Sequence, residues 1–389
     1  MAGLVVRPRA RILHGHDWVY SSEVLKIFGN PADGDVISIK DGRDKMLGSA
    51  IYNSRSQIIA RRFSRRRQIL DADFFSRRIR QALAWRARAG CDPNLCRLVW
   101  SEADGLPGVI ADRYGDVIVL QTLTLAMDRH KESIAGILSE LPEVRSIVER
   151  NDGAVRTAEG LPLANGILLG GDPGEREISV RGVRLLVDFL HGQKTGLYLD
   201  QLENYAIVAE HARGRRVLDC FSNQGGFALT CAQGGAREVT AVESGADSVR
   251  RLKENAKRNG SALSVREEDV FDFLKASERH GDLYDMIILD PPSFTRARSK
   301  INDALRGYRE LHLRSAKLLS ADGVLATFSC SHHVSSVEFE GALAEGFSDA
   351  GRSARIIRRL SQGADHPILV HLPETSYLKG LLLEAMAGR

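Results

Sequence analysis

The sequence predicts an α/β fold in three parts: a small β-rich amino-terminal part, a mixed α+β middle, and a doubly wound parallel sheet towards the carboxyl end. Three observations carry this. After Val180, short apolar runs alternate with amphipathic helical stretches, the pattern of strands joined by crossover helices. Residues 1–68 instead hold closely spaced strand and turn signals. The length, 389 residues, accommodates two or three domains at roughly 100–200 residues each.

In the first part, the Asp33-Gly34-Asp35 turn precedes the alternating Val36, Ile37 and Ile39, and Asp41-Gly42 marks the next turn. Leu47 to Ile51 and Gln57 to Phe63 complete a small β unit. From Asp73 the period changes. Phe75, Ile79, Ala82 and Leu83 fall at helical spacing, with Asp71 or Asp73 as cap and Gly90 as stop. In the middle, Leu98 to Trp100, Val109-Ile110, Val117 to Leu123, Ile147 to Arg150 and Ile167 to Leu169 read as strands, and Ala126 to Leu141 reads as a helix ended by Pro142. The Gly170-Gly171-Asp172-Pro173-Gly174 run breaks the chain and marks a boundary. Beyond it, strands are expected at Val217 to Cys220, Val239 to Glu243, Met286 to Asp290 and Val324 to Ser329. Helices are expected at Gly225 to Gln233, Asp247 to Asn259 and Ala304 to Leu319.

Composition narrows the class. Hydrophobic residues make up 43% and charged residues 27%, values that fit a folded globular chain and not a disordered one. No apolar run approaches the roughly 20 residues of a membrane span, and the opening stretch has no apolar core of a secretory signal. The net charge of +4 is unevenly placed. Residues 1–80 carry +8, leaving −4 for the rest, so one end of the chain is suited to a polyanion. Arg55, Arg61, Arg62, Arg65, Arg66 and Arg67 concentrate that charge around Phe63. Guanidinium forks match phosphate oxygens, although a solvated charged loop has the same composition. Five cysteines, an odd number, argue against a disulfide framework and for a reducing, cytoplasmic setting. Cys91 and Cys96 lack a second ligand pair, so no metal site is expected.

In the last part, polar residues stand in order at four strand ends. Asp219 is followed by Phe221, Ser222 and the Gly225-Gly226 turn. Glu243 comes 24 positions later. Asp269-Val270 is third, and Asp290-Pro291-Pro292-Ser293-Phe294 is fourth. Such ends gather at the ligand-binding edge of a doubly wound sheet. The G-x-G-x-x-G fingerprint of dinucleotide binders is absent. An acid, a glycine turn and a second acid suit S-adenosylmethionine, whose sulfonium and amino groups are cationic. Glu243 would accept the ribose hydroxyls, Asp269 the adenine amino group, and Val270 would cover the ring. The two prolines stiffen a wall where a flat base could lie against Phe294 and bond to Asp290. The strand Val324 to Ser329 leads into Cys330, followed by His332 and His333. A thiolate there could add to carbon 6 of a pyrimidine and turn carbon 5 into a nucleophile. A buried strand cysteine beside exposed histidines remains the other reading of the same residues.

Together these strings resemble the RlmI-like family of ribosomal RNA large-subunit cytosine-5 methyltransferases. The resemblance runs through Val19-Tyr20-Ser21, Gly105-Leu106-Pro107-Gly108, Asp112-Arg113-Tyr114-Gly115, the string from His191 to Gln201, Asp219 to Phe227, Asp290 to Phe294, Phe328 to Ser331 and Ala364-Asp365-His366-Pro367. It implies a PUA β-barrel at 1–70, a central α+β domain at 71–177, and a class I Rossmann-like methyltransferase domain at 178–389. S-adenosylmethionine is the implied donor, S-adenosylhomocysteine the product and RNA cytosine the acceptor. The implied partner is ribosomal RNA or a ribosomal subunit precursor, with monomer and homodimer both open. Carried over by position, Lys194, Thr195, Gly196, Tyr198, Asp200 and Gln201 would lie along the cofactor with Asp219, Phe221, Ser222, Gly225, Glu243, Asp269, Val270 and Asp290. Cys330 and Asp290 would be catalytic. Pro291, Pro292 and Phe294 would hold the base, with Arg61, Arg62, Arg65, Arg66 and Arg67 on the RNA. Many RNA cytosine-5 methyltransferases carry a second cysteine where this chain has Pro292-Ser293, so none is available here to help release the product. Two other readings stay open: an amino-group methyltransferase using the Asp290 string, and a non-catalytic RNA-binding assembly factor.

Overall fold

A computed structural model describes residues 2–192, 196–295 and 297–386. The chain forms two compact units, the first from Met1–Arg176, Val187–Leu199 and Ala364–Thr375, the second from Glu177–Leu186, Asp200–Gly363 and Ser376–Arg389.

The first unit holds two sheets. Six strands between Gly3 and Ser64 form one, in the order Trp18–Val19, Ala60–Ser64, Met46–Tyr52, Val36–Lys40, Gly3–Val6, Val24–Phe28. Its interior is Leu4, Val6, Ile37, Ile39, Ala50 and Ala60, supplied by alternate positions as the period of two requires. Five strands form the second sheet, in the order Ala164–Gly170, Ser146–Asn151, Val117–Thr122, Val109–Tyr114, Leu95–Trp100. The helix Ala72–Arg88 packs on it through Phe75 and Ile79. Asp71 caps that helix by accepting the Phe74 N–H at 2.7 Å. The expected single helix from Ala126 to Leu141 is two, Leu125–Asp128 and Lys131–Ser139. The break brings Asp128 to Thr122 Oγ1 (2.6 Å) and to Arg156 (2.8 Å), a buried polar cluster that a straight helix would not make.

The second unit is built on seven strands: β1 (Arg216–Cys220), β2 (Glu238–Glu243), β3 (Ser264–Glu267), β4 (Tyr284–Leu289), β5 (Leu319–Ser329), β6 (Ser353–Ser361) and β7 (Lys379–Met386). Their spatial order is β3-β2-β1-β4-β5-β7-β6. Helices α1 (Leu202–Ala209), α2 (Gly226–Gln233), α3 (Ala246–Arg258), α4 (Val270–His280), α5 (Ile301–Leu318) and α6 (Ser336–Asp349) complete it. Strands β1 to β5 are parallel. The order reverses between β1 and β4, the switch point where open α/β sheets bind ligands.

The wholly parallel sheet expected from the sequence is corrected at one edge. Strand β7 runs antiparallel between β5 and β6, pairing Ser329 with Lys379 and Thr327 with Leu381. The sequence conceals both added strands for physical reasons. Strand β6 is an exposed edge whose Arg355, Arg358 and Arg359 discourage further pairing, so it lacks an apolar signature. The Leu381-Leu382-Leu383 run of β7 is buried on both faces and has no readable period.

Candidate active site

Asp219 is the central group. It stands near the end of β1 and is 1% exposed. Its Oδ2 accepts the Ala228 N–H at 3.0 Å, which ties it to the start of α2. Its Oδ1 is buried and has no hydrogen-bond partner among the described residues. Burial, then repulsion from Asp290, pushes its carboxyl up to about 8. An orphaned carboxylate oxygen in a desolvated position is costly unless a cation meets it.

The chain after β1 turns sharply. Phe221 and Asn223 both adopt positive φ, and Ser222 donates from Oγ to the Asp219 carbonyl (2.7 Å). Gly225 has φ +90°, and a Cβ there would lie 2.3 Å from Leu252. A Cβ on Gly226 would lie 2.4 Å from the Tyr205 ring. Backbone is therefore kept close to α1 and α3, leaving a bare turn beside Asp219. Glu243, at the end of β2, accepts the N–H groups of Asn223 (Oε2, 3.0 Å) and Gly245 (Oε1, 2.8 Å). Each oxygen keeps lone-pair capacity for a diol. Asp269 caps α4 through Oδ1, which accepts from Phe271 N (2.9 Å) and Asp272 N (3.2 Å), and Val270 is buried. These residues fit S-adenosylmethionine: an unpaired buried acid for its cationic end, a glycine turn without side chains, and an acid at the ribose position.

The fourth strand end continues the edge. The Asp290 N–H reaches the Cys220 carbonyl at 3.4 Å, placing Asp290 beside the glycine turn. Its Oδ2 accepts from Gln201 Nε2 at 3.1 Å, and Gln201 in turn accepts from Asn204 at 2.6 Å. Asp200 accepts the Tyr377 hydroxyl at 2.6 Å. Pro291 is buried while Pro292 and Ser293 are exposed. Phe294 differs from the expected stacking wall. Its ring packs on Tyr308 at 4.7 Å and Phe271 at 6.2 Å, and so serves the core behind the turn.

Cys330 follows β5 with Sγ 4.0 Å from the Pro291 carbonyl. It is partly exposed, whereas Cys220 and Cys231 are buried and their thiols pushed up by desolvation. The cation beside it is a residue that sequence reasoning missed. Lys379, on β7, donates to the carbonyls of Ser331 (3.0 Å) and Tyr377 (2.9 Å). Burial lowers its pKa, and the charge of Cys330 opposes that shift. His332 and His333, which follow Cys330 in the sequence, are exposed, and His332 lies over Tyr377 at 5.8 Å. Only the register of the antiparallel strand could have pointed to Lys379.

A family model of S-adenosylmethionine-dependent methyltransferases matches residues 160–383, and one of PUA-like domains matches residues 7–65. Ribosomal RNA large subunit methyltransferase I of Tolumonas auensis is 38% identical over 383 residues, 96% of each chain. The chain belongs to that methyltransferase family. A SAM-dependent methyltransferase structure from Streptococcus mutans superposes with TM-score 0.84 at 22% identity, covering 99% of this chain and 100% of the other. The methyltransferase SMU.776 complexed with SAH gives 0.85 at 21% identity, with the same coverage. At those identities the two structures show a shared fold.

This methyltransferase uses S-adenosylmethionine, and its remaining expected site residues divide by unit. Lys194 and Thr195 lie outside the described residues. Gly196 and Tyr198 belong to the first unit. A Cβ on Gly196 would meet Val187 at 2.8 Å, and the neighbouring Leu197 N–H donates to the Tyr114 hydroxyl at 3.0 Å. The arginine cluster also divides, and two of its members are corrected. Arg62 is 6% exposed and donates to Asp17 at 2.8 Å and to the Gly15 carbonyl at 3.0 Å. Arg61 is paired with Glu102 at 2.6 Å and lies over Trp18. As adjacent strand residues they face opposite sides, and each meets its own acid, Glu102 for Arg61 and Asp17 for Arg62, which neutralises it there. Arg65, Arg66 and Arg67 are exposed. Among the described residues no group of three or more His, Cys, Asp or Glu is placed to hold a metal ion, and no helix is long and apolar enough to cross a membrane.

Proposed function

We propose that this methyltransferase modifies carbon 5 of a cytosine in large-subunit ribosomal RNA through a transient bond between Cys330 and carbon 6. The relatives' activity on ribosomal RNA supports the substrate. The observation that carries the chemistry is the position of Cys330, a partly exposed thiol against the Pro291 carbonyl of the Asp290-Pro291-Pro292 turn. When bound, S-adenosylmethionine supplies the methyl group. Asp219 faces its cationic end, Glu243 its ribose, and Asp269 with Val270 its adenine. Gly225 and Ser222 shape the turn, and Asp200 and Gln201 act with Asp290 at the methyl-donating end.

Lys379 is the cation that favours the thiolate. The Cys330 thiolate adds to carbon 6, and the displaced π electrons make carbon 5 nucleophilic towards the methyl group. The carbon 5 proton then passes to water, the electrons of that C–H bond restore the carbon 5–carbon 6 double bond, and the carbon 6–sulfur bond breaks with its electron pair returning to Cys330 as thiolate. Asp290, held by Gln201, accepts a hydrogen bond from the base and keeps it in plane. The target is a base exposed in a single strand or flipped from a helix, because carbon 6 is sealed within a stack. None of the five cysteines forms a disulfide among the described residues, which suits the reducing cytoplasm, where ribosomal RNA or a subunit precursor would be met.

The test is bisulfite mapping of large-subunit ribosomal RNA from cells with and without the gene. One 5-methylcytosine should disappear with the gene, return with the wild-type chain, and fail to return with Cys330→Ala. An unchanged map would refute the assignment.

A further inference from the structure

The first unit contains a cleft of about 890 Å³ whose charge balance the catalytic chemistry does not explain. It is walled by the exit of strand Ala60–Ser64, the helix Ala72–Arg88, the turn at Gly105 and the segment 367–371. Three acids line it, and each is already neutralised. Asp17 is bonded by Arg62 at 2.8 Å and by His371 Nε2 at 2.9 Å. Glu102 is bonded by Arg61 at 2.6 Å and Asp104 by Arg86 at 2.6 Å.

The cations are not balanced in the same way. Arg65 and Arg66 are exposed on the cleft wall and make no ion pair among the described residues. Arg78 makes none either. Its Nη2 donates to the Phe63 carbonyl at 2.9 Å and its guanidinium lies over the Phe74 ring, which fixes its direction. Gly105 stands against it with φ +69°, where a Cβ would come within 3.0 Å of Arg78 Cζ. That bare glycine, from the Gly105-Leu106-Pro107-Gly108 string, makes room for the guanidinium. Burial and the charge of Arg77 lower the Arg78 pKa, and the nearby Asp17 and Asp104, each paired with another cation, only partly offset this. On the helix, Trp85 is 43% exposed while its Nε1 is anchored to the Ala364 carbonyl at 3.3 Å.

We propose that this cleft is a docking site for single-stranded RNA, with backbone phosphates on Arg65, Arg66 and Arg78 and one base stacked on Trp85. Arginine forks match phosphate oxygens, and a fixed, exposed indole is a stacking platform for any base. An acidic protein segment would satisfy the arginines but leave the indole face unused. The inference rests on the reading that RNA is the substrate. It adds a contact region outside the methyltransferase unit that holds the RNA while a base is presented elsewhere.

The test uses the full chain and a fluorescent single-stranded oligoribonucleotide, with anisotropy titrations between about 50 and 200 mM salt. Three phosphate contacts on a single strand correspond to a log–log salt slope of about −2. Arg65→Ala/Arg66→Ala should weaken binding at least tenfold at the lower salt and make the slope shallower by about 1.4. Trp85→Ala should weaken binding about tenfold with the slope unchanged, and Trp85→Phe should restore most of the loss. Calorimetric S-adenosylmethionine affinity and Tm, unchanged in all three variants, serve as the folding control. Wild-type RNA affinity and slope in the variants would overturn the inference even if ribosomal RNA is methylated. Unchanged RNA affinity with lost binding to a ribosomal subunit precursor would also overturn it, in favour of a protein partner. Weakened RNA binding by variants of a chain that methylates no ribosomal RNA would leave the cleft standing and refute the proposed function instead.

Discussion

The carboxyl edge of the second unit and the cleft of the first unit both hold ionisable groups without a counter-charge among the described residues, an acid in one and bases in the other, in opposite surroundings. At the edge, Asp219 is buried and one oxygen has no partner among the described residues. In the cleft, Arg65 and Arg66 are exposed, and only Arg78 is partly withdrawn from water. A buried carboxyl with a free oxygen ionises when a cationic ligand atom meets it and then interacts strongly at short range. Exposed charges act weakly one by one, are screened by salt, and gain effect by number. The first arrangement suits a small cofactor of fixed shape, and the second suits a flexible polyanion.

Substitutions can break this contrast in order of size. Cys330→Ala should lower methyl transfer by about three orders of magnitude or more. Cofactor affinity measured by calorimetry should not change. Arg62→Ala should destabilise the chain by roughly 3 kcal/mol, because it removes a buried guanidinium that ties Asp17 to the Gly15 carbonyl and leaves the half-buried Asp17 with His371 alone. It should leave the salt slope of RNA binding as it was, unlike Arg65→Ala/Arg66→Ala. A denaturation midpoint equal to wild type would contradict the structural role given to Arg62.

Asp219→Ala should weaken S-adenosylmethionine binding by about 10- to 100-fold. The same residue sets a pH dependence. With its carboxyl pushed up to about 8 in the free protein, Asp219 holds a proton at pH 7. A bound cation lowers that pKa, so binding should release close to one proton between pH 6 and 7.5. Affinity should therefore rise with pH and level off above about 8. Calorimetry in buffers of different ionisation heat measures the release, and Asp219→Asn should abolish it. The smallest effect is expected from Lys379→Met. It should move the pH profile of Cys330 alkylation upward by about one unit, with Lys379→Arg restoring it.

Much of this was legible in the sequence, and the gaps have physical causes. The parallel strands β1, β2, β4 and β5 announce themselves because each is a short apolar run followed by a polar end. Asp219, Glu243 and Asp290 could be read for the same reason. Long-range pairings could not. The antiparallel insertion of β7 leaves no local signal, so nothing in the sequence places Lys379 opposite the end of β5, next to Cys330. The arginine cluster shows the converse limit. Six arginines look alike in a sequence, but Arg62 lies within the strand Ala60–Ser64 and turns to Asp17, whereas Arg65 follows the end of that strand and stays exposed. An aromatic after two prolines reads as a stacking wall, whereas the Phe294 ring packs on Tyr308 and Phe271.

The central claim is attack through carbon 5 with Cys330 as nucleophile. It is tested most directly with ribosomal RNA from cells lacking the gene, labelled with tritium at cytosine carbon 5 and incubated with the purified chain and S-adenosylmethionine. The account predicts one tritium released to water for each methyl group transferred, and neither event with Cys330→Ala. Methyl transfer without tritium release would place the new group on a nitrogen and contradict it.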